Sequence, residues 1–252
     1  MKEQKAGDLA IRIYENRTIM GISAALMVCA RINHLLSRQD HVNIIFASAP
    51  SQNEFLDTLT WTTSVDWGRV NAFHMDEYIE LPVNDPRTFA SFLNKKIFGR
   101  LPFRSVNYIN GNAPVIGDEC RRYARLLEQH PADIVCLGIG ENGHLAFNDP
   151  HVADFNDPLA VKMVKLDAAC RQQQVNDGCF AGLSEVPAYA ITLTIPALMT
   201  GKYVYCMVPG EKKAEAVRNT VYGEIIEKYP SAILRKHMDA TLFLDKKSGA
   251  LL

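Results

Sequence analysis

From residue 137 to residue 150 the sequence reads L-G-I-G-E-N-G-H-L-A-F-N-D-P, and an apolar run that begins at Ile134 leads into it. The stretch holds three glycines, one histidine, two asparagines and two carboxylates. A polar loop at the end of a buried strand can face a ligand while the sheet holds the loop in place. We therefore expect this loop to be the centre of a ligand site.

The glycines of the loop, Gly138, Gly140 and Gly143, match the G-x-G-x-x-G spacing of dinucleotide-binding sites. In such sites the loop leads directly into a helix whose N-terminus holds a pyrophosphate. Pro150 follows too closely for that, because proline biases the preceding residue away from the helical conformation. The pattern instead favours a backbone that approaches a small ligand, with Gly143 among the binding residues, and it predicts no nucleotide cofactor.

The composition indicates a globular chain without a charge that favours binding of polyanions. With 252 residues, of which 48% are hydrophobic, the chain can bury a large core. Lys plus Arg number 27 and Asp plus Glu number 28, so the formal net charge is -1. No overall field would attract nucleic acid or an anionic membrane, and we expect neither as a partner.

The six cysteines are scattered singly, without the close pairs of a zinc site or a disulfide framework. They predict a reducing compartment and no metal site. The N-terminus lacks a signal-peptide core, and we expect no stretch to approach the roughly 18 apolar residues of a membrane span. These features predict a cytoplasmic protein.

Strand-like and helix-like segments alternate along the chain. Six short runs read as buried strands, at residues 42–48, 70–75, 134–138, 190–194, 203–208 and 241–245. The longest helical pattern lies in residues 18–38 and would face the core with Ile22, Leu26, Cys29, Ile32 and Leu36. The alternation predicts a doubly wound α/β fold, in which helices cover both faces of a mostly parallel sheet.

Nothing in the sequence forces a domain boundary, so we expect residues 1–252 to form one domain. The least regular part, residues 151–185, is polar and directly follows the glycine-rich loop. Composition leaves two interpretations of it open: an ordinary surface loop, or a lid over the site.

His144 is the natural acid–base candidate of the loop, because a free imidazole titrates near neutral pH. Asp149, five residues on, or Glu141, three residues back, could hold its tautomer. A loop histidine that only makes a structural hydrogen bond is the alternative, and the residue by itself does not separate the two.

A second candidate follows strand 70–75, where Asp76 and Glu77 open what we expect to be a loop. Adjacent carboxylates at the end of an apolar strand suit proton removal from carbon, because partial burial raises the basicity of a carboxylate. Either Asp76 or Glu77 could be the base, and the other would lie beside the substrate. A helix cap is the alternative interpretation.

An anion site is predicted nearby. Ser48, Ser51 and Gln52, in the turn after strand 42–48, offer hydroxyls and helix-start amides for a phosphate, and Lys213 offers positive charge. Turn capping and a solvated lysine are the alternatives. All of these candidates fall at carboxyl ends of predicted strands, where open α/β sheets bind ligands. Together they predict a site for a small anionic sugar.

The longer motifs of the chain resemble those of the glucosamine-6-phosphate deaminase/isomerase family. They are F-H-M-D-E-Y-I-E-L-P at 73–82, N-G-N-A-P at 110–114, the loop at 137–150, V-P-A-Y-A-I-T-L-T at 186–194 and V-P-G-E-K-K-A at 208–214. The resemblance implies a Rossmann-like sheet. It also implies a cofactor-free reaction that converts a hexosamine 6-phosphate into a ketose 6-phosphate and ammonia.

The same resemblance assigns roles to the candidates. It implies that His144 assists ring opening and that Asp76 moves a proton between C2 and C1 of the sugar. Lys213 and the turn at residues 48–52 would hold the phosphate. Residues 151–185 would form a lid.

Four features depart from the family pattern. Asn142 stands where an acidic residue is frequent, and Asp149 stands where glutamate is usual. The predicted phosphate-binding turn at residues 48–52 lacks the usual sequence motif, and Gly178 stands near the position where a phosphate-binding arginine is expected. We expect Asn142 and Asp149 to tune His144 differently, and either the phosphate to be held less tightly or the substrate to differ.

The leading hypothesis is conversion of glucosamine 6-phosphate into fructose 6-phosphate, with galactosamine 6-phosphate close behind. Hydrolysis of 6-phosphogluconolactone is an alternative, although a lactonase removes no carbon proton and has less need of Asp76. A non-catalytic sugar-phosphate sensor is the third. The expected partner is a small sugar phosphate, and a homo-oligomer is compatible with the sequence, although no stretch identifies an interface.

Overall fold

The computed structural model describes residues 1–252. The strands are β1 Lys2–Ala6, β2 Leu9–Tyr14, β3 Val42–Phe46, β4 Val70–His74, β5 Asp76–Tyr78, β6 Ser105–Asn107, β7 Ile134–Leu137, β8 Val161–Lys165, β9 Tyr189–Leu193, β10 Tyr203–Val208 and β11 Ala240–Asp245. The α-helices are α1 Arg17–Leu36, α2 Asn53–Trp61, α3 Phe89–Leu93, α4 Ile116–Gln129, α5 Ala168–Asn176, α6 Ile195–Met199 and α7 Ala214–Tyr222. A π-helical turn, Asn94–Phe98, continues α3.

Eight strands form one sheet in the order β1-β2-β11-β10-β7-β3-β4-β6. Every neighbouring pair is parallel except β1 and β2. The chain runs outward from β3 to β6 and then returns to β7 on the other side of β3, so the strand order reverses there. Open α/β sheets bind ligands at such a reversal, outside the carboxyl ends of the strands. The predicted doubly wound, mostly parallel sheet is confirmed.

Helices cover both faces of this sheet. On one face α1 and α2 pack over a cluster of 26 buried residues, and on the other α4 and α7 share a cluster of 29. Consecutive residues of β3 alternate between them: Ile44 and Phe46 belong to the first cluster and Ile45 to the second. Side chains of a strand point alternately to its two faces, so a run that is apolar throughout indicates a strand covered on both sides.

The predicted core stripe of α1 is wrong at Ile22 and Leu26, which are exposed. The helix instead buries a face rich in small side chains, made by Met20, Gly21, Ala24, Ala25, Val28, Cys29, Ile32 and Leu35. A Cβ on Gly21 would lie 2.6 Å from the Cβ of Glu54 in α2, so the two helices touch where α1 has no side chain. The close contact with α2 requires small side chains on the buried face, whereas the predicted stripe was chosen from the large apolar residues.

By length and composition alone α1 could cross a membrane, so the expectation that no stretch approaches such a span was wrong. In this fold α1 packs against α2 and against the strands β10 and β11. The helix passes this test because it combines a buried apolar face with exposed apolar side chains, which include Ile22 and Leu26.

A second, antiparallel sheet of β5, β9 and β8 lies beyond the end of β4. Residues 76–78 therefore form a strand rather than the expected loop, with Asp76 opposite Thr192. The predicted strand 190–194 is present as β9, but it belongs to this smaller sheet. A three-residue strand is too short for an alternating pattern, and alternation does not reveal which sheet a strand joins.

The irregular segment 151–185 contains β8 and α5, which the sequence pattern did not indicate. In α5 the buried residues include the polar Gln173 and Gln174. A helix that turns amides inward lacks the apolar periodicity on which a helix prediction depends. The short strands β1, β2 and β6 were missed as well.

Candidate active site

A cavity of about 170 Å³ opens at the carboxyl ends of the central strands. Its walls come from the start of α1, the turn after β3, the start of β5, the start of α3, the loop after β7, helix α5 and the segment that leads into α7. Five residues predicted from the sequence line it: Ser48, Ser51, Asp76, His144 and Lys213. Residues from seven separate parts of the chain therefore meet at one site.

His144 is held by two residues of its own loop. Its Nδ1 lies 2.8 Å from Asn142 Oδ1 and 3.1 Å from Asp149 Oδ1. Both oxygens are acceptors, so Nδ1 carries a proton and Nε2 is left to accept one from a ligand. Asn142 Nδ2 also donates to the same Asp149 oxygen, at 2.8 Å. Of the two partners that the sequence left open, the one in contact with His144 is Asp149 rather than Glu141.

Asp149 is fully buried behind His144. Burial alone would raise the pKa of Asp149. The hydrogen bond and charge of His144, with hydrogen bonds from Asn142 and Cys170, outweigh burial and lower it to about 2. The carboxylate therefore stays ionised at neutral pH and can stabilise a protonated imidazole.

Potential metal ligands of His144, Asp149 and Cys170 lie within 4.8 Å of one another. A metal would need an unprotonated ring nitrogen, but Nδ1 of His144 donates to Asn142 and Asp149 in this arrangement. The donor set therefore does not fit a metal ion without rearrangement. The expectation of a site without metal or cofactor stays a prediction.

No helix lies between β7 and β8, so the prediction that the glycine-rich loop cannot present a helix to a pyrophosphate is confirmed. Gly143 adopts a φ of +88°, which favours glycine, and its carbonyl accepts a hydrogen bond from the N–H of Ser231 at 3.0 Å. Gly143 does not line the cavity. Its position supports a role in the turn of the loop rather than the predicted ligand contact.

Gly140 lies against the imidazole of His144. A Cβ added at residue 140 would come within 2.2 to 2.4 Å of three atoms of that ring. We expect Gly140→Ala to displace the ring and to lower kcat by about 10²-fold, since a misplacement of 1 Å can cost that much. Steady-state kinetics measure the loss. Gly117→Ala, at the start of α4, is the matched control, because a Cβ there meets only the flexible Nη1 of Arg121 at 3.5 Å; equal kcat values for the two variants would contradict the expectation.

Asp76 is buried at the start of β5, and its Oδ1 has no hydrogen-bond partner. Burial raises the pKa of Asp76 well above its ordinary value, and the charge of Glu77 raises it further. A carboxylate of raised basicity at the wall of a ligand cavity suits removal of a proton from carbon.

Glu77 turns toward the start of α3. Its carboxylate accepts hydrogen bonds from the N–H groups of Tyr78 at 2.8 Å, Phe89 at 3.0 Å and Ala90 at 2.8 Å. Burial raises the pKa of Glu77 to about 7, although these bonds lower it in part. Glu77 does not line the cavity, so its position matches the helix-cap alternative and not the substrate contact.

The turn after β3 presents two hydroxyls to the cavity. Ser48 Oγ is buried without a hydrogen-bond partner, and Ser51 Oγ accepts from Gln52 Nε2 at 3.0 Å. Gln52 is itself fully buried and also donates to the carbonyl of Met207 at 3.3 Å. Ser48 and Ser51 are therefore placed to bind a ligand, whereas Gln52, predicted to bind it too, braces the turn from behind.

Lys213 supplies positive charge to the same cavity. Burial lowers the pKa of Lys213, while the carboxylates of Asp177 and Glu141 raise it. Asp177, which also lines the cavity, therefore opposes part of the lysine's charge. Gly178, near which an arginine was expected, has no atom within 4 Å of its Cβ position and does not line the cavity.

Four polar residues of the lining were missed by the sequence analysis: Arg17, Gln173, Gln174 and Asp177. Gln173 Oε1 accepts from the N–H of Glu141 at 2.9 Å and so joins α5 to the loop after β7. The available signal was the run of three glutamines in a segment without apolar periodicity. Arg17, the first residue of α1, carried no local signal.

The strand-order reversal of the parallel sheet thus carries a histidine–carboxylate pair and a separate buried carboxyl group, an arrangement that suits an enzyme that transfers protons. A family model described as glucosamine-6-phosphate isomerases/6-phosphogluconolactonase matches residues 15–243. The chain belongs to this family, which confirms the resemblance seen in its motifs.

Named relatives and solved structures agree with this assignment. A glucosamine-6-phosphate deaminase of Bacillus cereus (strain B4264) is 36% identical over 187 residues, which are 74% of this chain and 70% of that protein. The structure of a monomeric glucosamine-6-phosphate deaminase matches with a TM-score of 0.88 at 26% identity, over 96% of this chain and 99% of that one. A 6-phosphogluconolactonase of Thermotoga maritima matches with a TM-score of 0.77 at 20% identity, over 94% and 100%, which is a likeness of fold.

Proposed function

We propose that this protein converts glucosamine 6-phosphate and water into fructose 6-phosphate and ammonia. The observation that carries the proposal is that two proton-transfer groups of different kind, the His144–Asp149 pair and the buried Asp76, line or support one cavity. The reaction needs both, because one proton moves on oxygen and the other on carbon. The named deaminase relatives support the same assignment.

The first step is opening of the sugar ring. Nδ1 of His144 is hydrogen-bonded to Asn142 and Asp149, so Nε2 accepts the proton of the O1 hydroxyl as the bond from C1 to the ring oxygen breaks. The same nitrogen then returns this proton to the ring oxygen, which becomes the C5 hydroxyl. Asp149 stabilises the imidazolium that exists between these transfers.

The second step moves a proton from C2 to C1. Asp76 removes the C2 proton from the open-chain aldehyde and delivers it to C1, which becomes the CH₂OH carbon of the product. The amino group at C2 loses one N–H proton and becomes an imine, and O1, the former aldehyde oxygen, gains one proton. Water adds to this imine, ammonia leaves, and a ketone remains at C2.

Ammonia release from a panel of amino-sugar 6-phosphates tests the proposal. We expect turnover of glucosamine 6-phosphate by wild type, with galactosamine 6-phosphate as the second substrate in the panel. If neither sugar released ammonia under conditions where a known deaminase is active, the proposal would be wrong. Saturable sugar-phosphate binding in the same sample would then favour a sensor, and acid release from 6-phosphogluconolactone would favour a lactonase.

The remaining expectations from the sequence extend the proposal. We place the protein in a reducing cytoplasm, with support from six cysteines that are all free. We treat residues 1–252 as one catalytic domain that acts on a small sugar phosphate without nucleic acid or membrane. Residues 151–185 would act as a lid through α5, whose side chains Gln173 and Gln174 line the cavity. A homo-oligomer stays an expectation.

A further inference from the structure

The phosphate end of the cavity carries less net positive charge than Lys213 alone suggests. Asp177 lines the same cavity, and it and Glu141 act electrostatically on the lysine. A sugar phosphate brings close to two negative charges at neutral pH, since the second pKa of a phosphate ester is about 6. One lysine opposed by a carboxylate is a weak holder for such a group, so a second cation is to be expected here.

Arg17 is the other cationic residue in the cavity wall. Both oxygens of Glu54 bind its guanidinium: Nε donates to Oε1 at 2.6 Å and one Nη donates to Oε2 at 2.8 Å. The same Nη donates to the carbonyl of Pro50 at 3.0 Å, in the turn that carries Ser48 and Ser51. The second Nη has no acceptor in the protein, so it is free to donate to a ligand.

The local structure positions this arginine rather than leaving it loose in solvent. The side chain of Asn16 caps α1 by accepting from the N–H of Ile19 at 3.0 Å, which places Arg17 at the first helical position. Gly21, one turn on, lets α2 approach until a Cβ would lie 2.6 Å from the Cβ of Glu54. Glu54 is thereby pressed against the start of α1, where its two oxygens orient the plane of the guanidinium.

We propose that Arg17 is a phosphate-binding and specificity-determining residue, which acts with Lys213, Ser48 and Ser51 on the phosphate of the substrate. This role rests on the proposed function, since it concerns the phosphate of that substrate. A planar guanidinium with a free nitrogen suits phosphate oxygens better than an ammonium does, because it donates in a fixed geometry. A helix-start arginine braced by α2 thus supplies the second positive charge.

Binding of inorganic phosphate, measured by titration calorimetry, tests the role without any turnover. We expect Arg17→Gln to weaken phosphate binding about 10-fold, as one charge-assisted hydrogen bond implies. Arg17→Lys should restore part of the loss, because it returns the charge without the planar geometry. Arg121→Gln, on the exposed face of α4, is the matched control and should bind phosphate as wild type does. The same order of variants should appear in KM for glucosamine 6-phosphate, with kcat changed less.

Glu54→Gln separates ligand binding from helix bracing. It removes the negative charge and one of the two acceptors that hold Arg17 but keeps the arginine's charge at the cavity. We expect it to weaken phosphate binding less than Arg17→Gln does, at a comparable loss of thermal stability. Three outcomes would overturn the role of Arg17. The two variants could weaken phosphate binding equally, or Arg17→Gln could bind phosphate as tightly as wild type does. Wild type could also show no saturable binding at tens of millimolar phosphate. Phosphate binding that depends on Arg17 in a protein without ammonia release would refute only the proposed function.

Discussion

Asparagine in place of Asp76 should lower kcat for glucosamine 6-phosphate by about 10³-fold, within the range that positioned general bases contribute. Asparagine has nearly the same shape as aspartate but cannot accept the C2 proton. Asp76 lies in the cavity wall, and its buried Oδ1 has no partner inside the protein that the substitution would break. The loss should therefore appear in kcat, while KM changes little, and steady-state ammonia release measures both.

The same substitution should stabilise the fold. The pKa of Asp76 in the folded protein lies well above its ordinary value of 3.8, because the carboxyl group is buried beside Glu77. Above pH 3.8 the unfolded chain loses this proton while the folded protein keeps it, so the contribution of Asp76 to stability falls as pH rises toward the folded-state pKa. The asparagine side chain of the Asp76→Asn variant does not titrate, so the variant avoids this loss. The gain in Tm over wild type should be larger at pH 8 than at pH 4, by thermal unfolding.

A rise in Tm with a collapse of kcat is the expected signature of a functional residue kept at a cost in stability. Asp118→Asn, on the exposed start of α4, is the control and should change neither quantity. Unchanged kcat in the Asp76 variant would place the carbon base elsewhere. Acid release from 6-phosphogluconolactone that survives this substitution would favour the lactonase alternative.

Asp76 and His144 could be identified from the sequence because each follows an apolar run that forms a buried strand of the parallel sheet. Carboxyl ends of parallel strands lie on one edge, so residues far apart in the chain meet there. The same reasoning placed Ser48, Ser51 and Lys213 correctly at the cavity wall. It requires only the strands, which hydrophobic runs indicate, and their parallel direction, which the alternation with helices indicates.

The contacts behind these residues could not be predicted in the same way. Glu77 follows Asp76 directly, yet the position of α3 turns it toward a helix cap. Arg17 is held at the cavity wall by Glu54 of α2, which can approach α1 closely because residue 21 is glycine. Gln173 reaches the loop after β7 from a helix with no apolar face. Each depends on how two elements pack, and sequence periodicity carries no information about that packing.

The second large effect on kcat is expected from a substitution of Asp149, the carboxylate partner of His144. We expect Asp149→Asn to lower kcat by about 10²- to 10⁴-fold, the range typical of general acid–base catalysis. An amide NH₂ in place of Oδ1 would face two donors, Nδ2 of Asn142 and Nδ1 of His144, and would push the imidazole proton onto Nε2. An amide oxygen there would keep the tautomer but could not stabilise the imidazolium by charge. Either orientation impairs ring opening.

Asp149 also contributes to the stability of the fold, and this contribution depends on pH. The pH dependence of Tm therefore shows whether the Asp149→Asn variant is folded and lacks only this contribution. Its pKa is about 2 in the folded protein and 3.8 ordinarily, so its contribution is fully present above pH 3.8 and is lost as pH falls toward 2. The variant lacks this contribution. The difference in Tm between wild type and Asp149→Asn should therefore be constant above about pH 5 and should shrink below pH 4, since linkage acts only between the two pKa values.

Asn142→Asp tests the same contact from the other side. It brings a second carboxylate to the place where Asn142 Nδ2 now donates to Asp149 Oδ1 at 2.8 Å. A second negative charge beside the ring favours the protonated form of the His144 imidazole. Because ring opening needs a neutral imidazole, the acid limb of the pH profile of kcat/KM should move to higher pH. If Asn142→Asp leaves the acid limb unmoved and Asp149→Asn keeps full activity, His144 acts without its carboxylate. If Asn142→Asp shifts the limb and Asp149→Asn loses most of its kcat, His144 and Asp149 work as a unit.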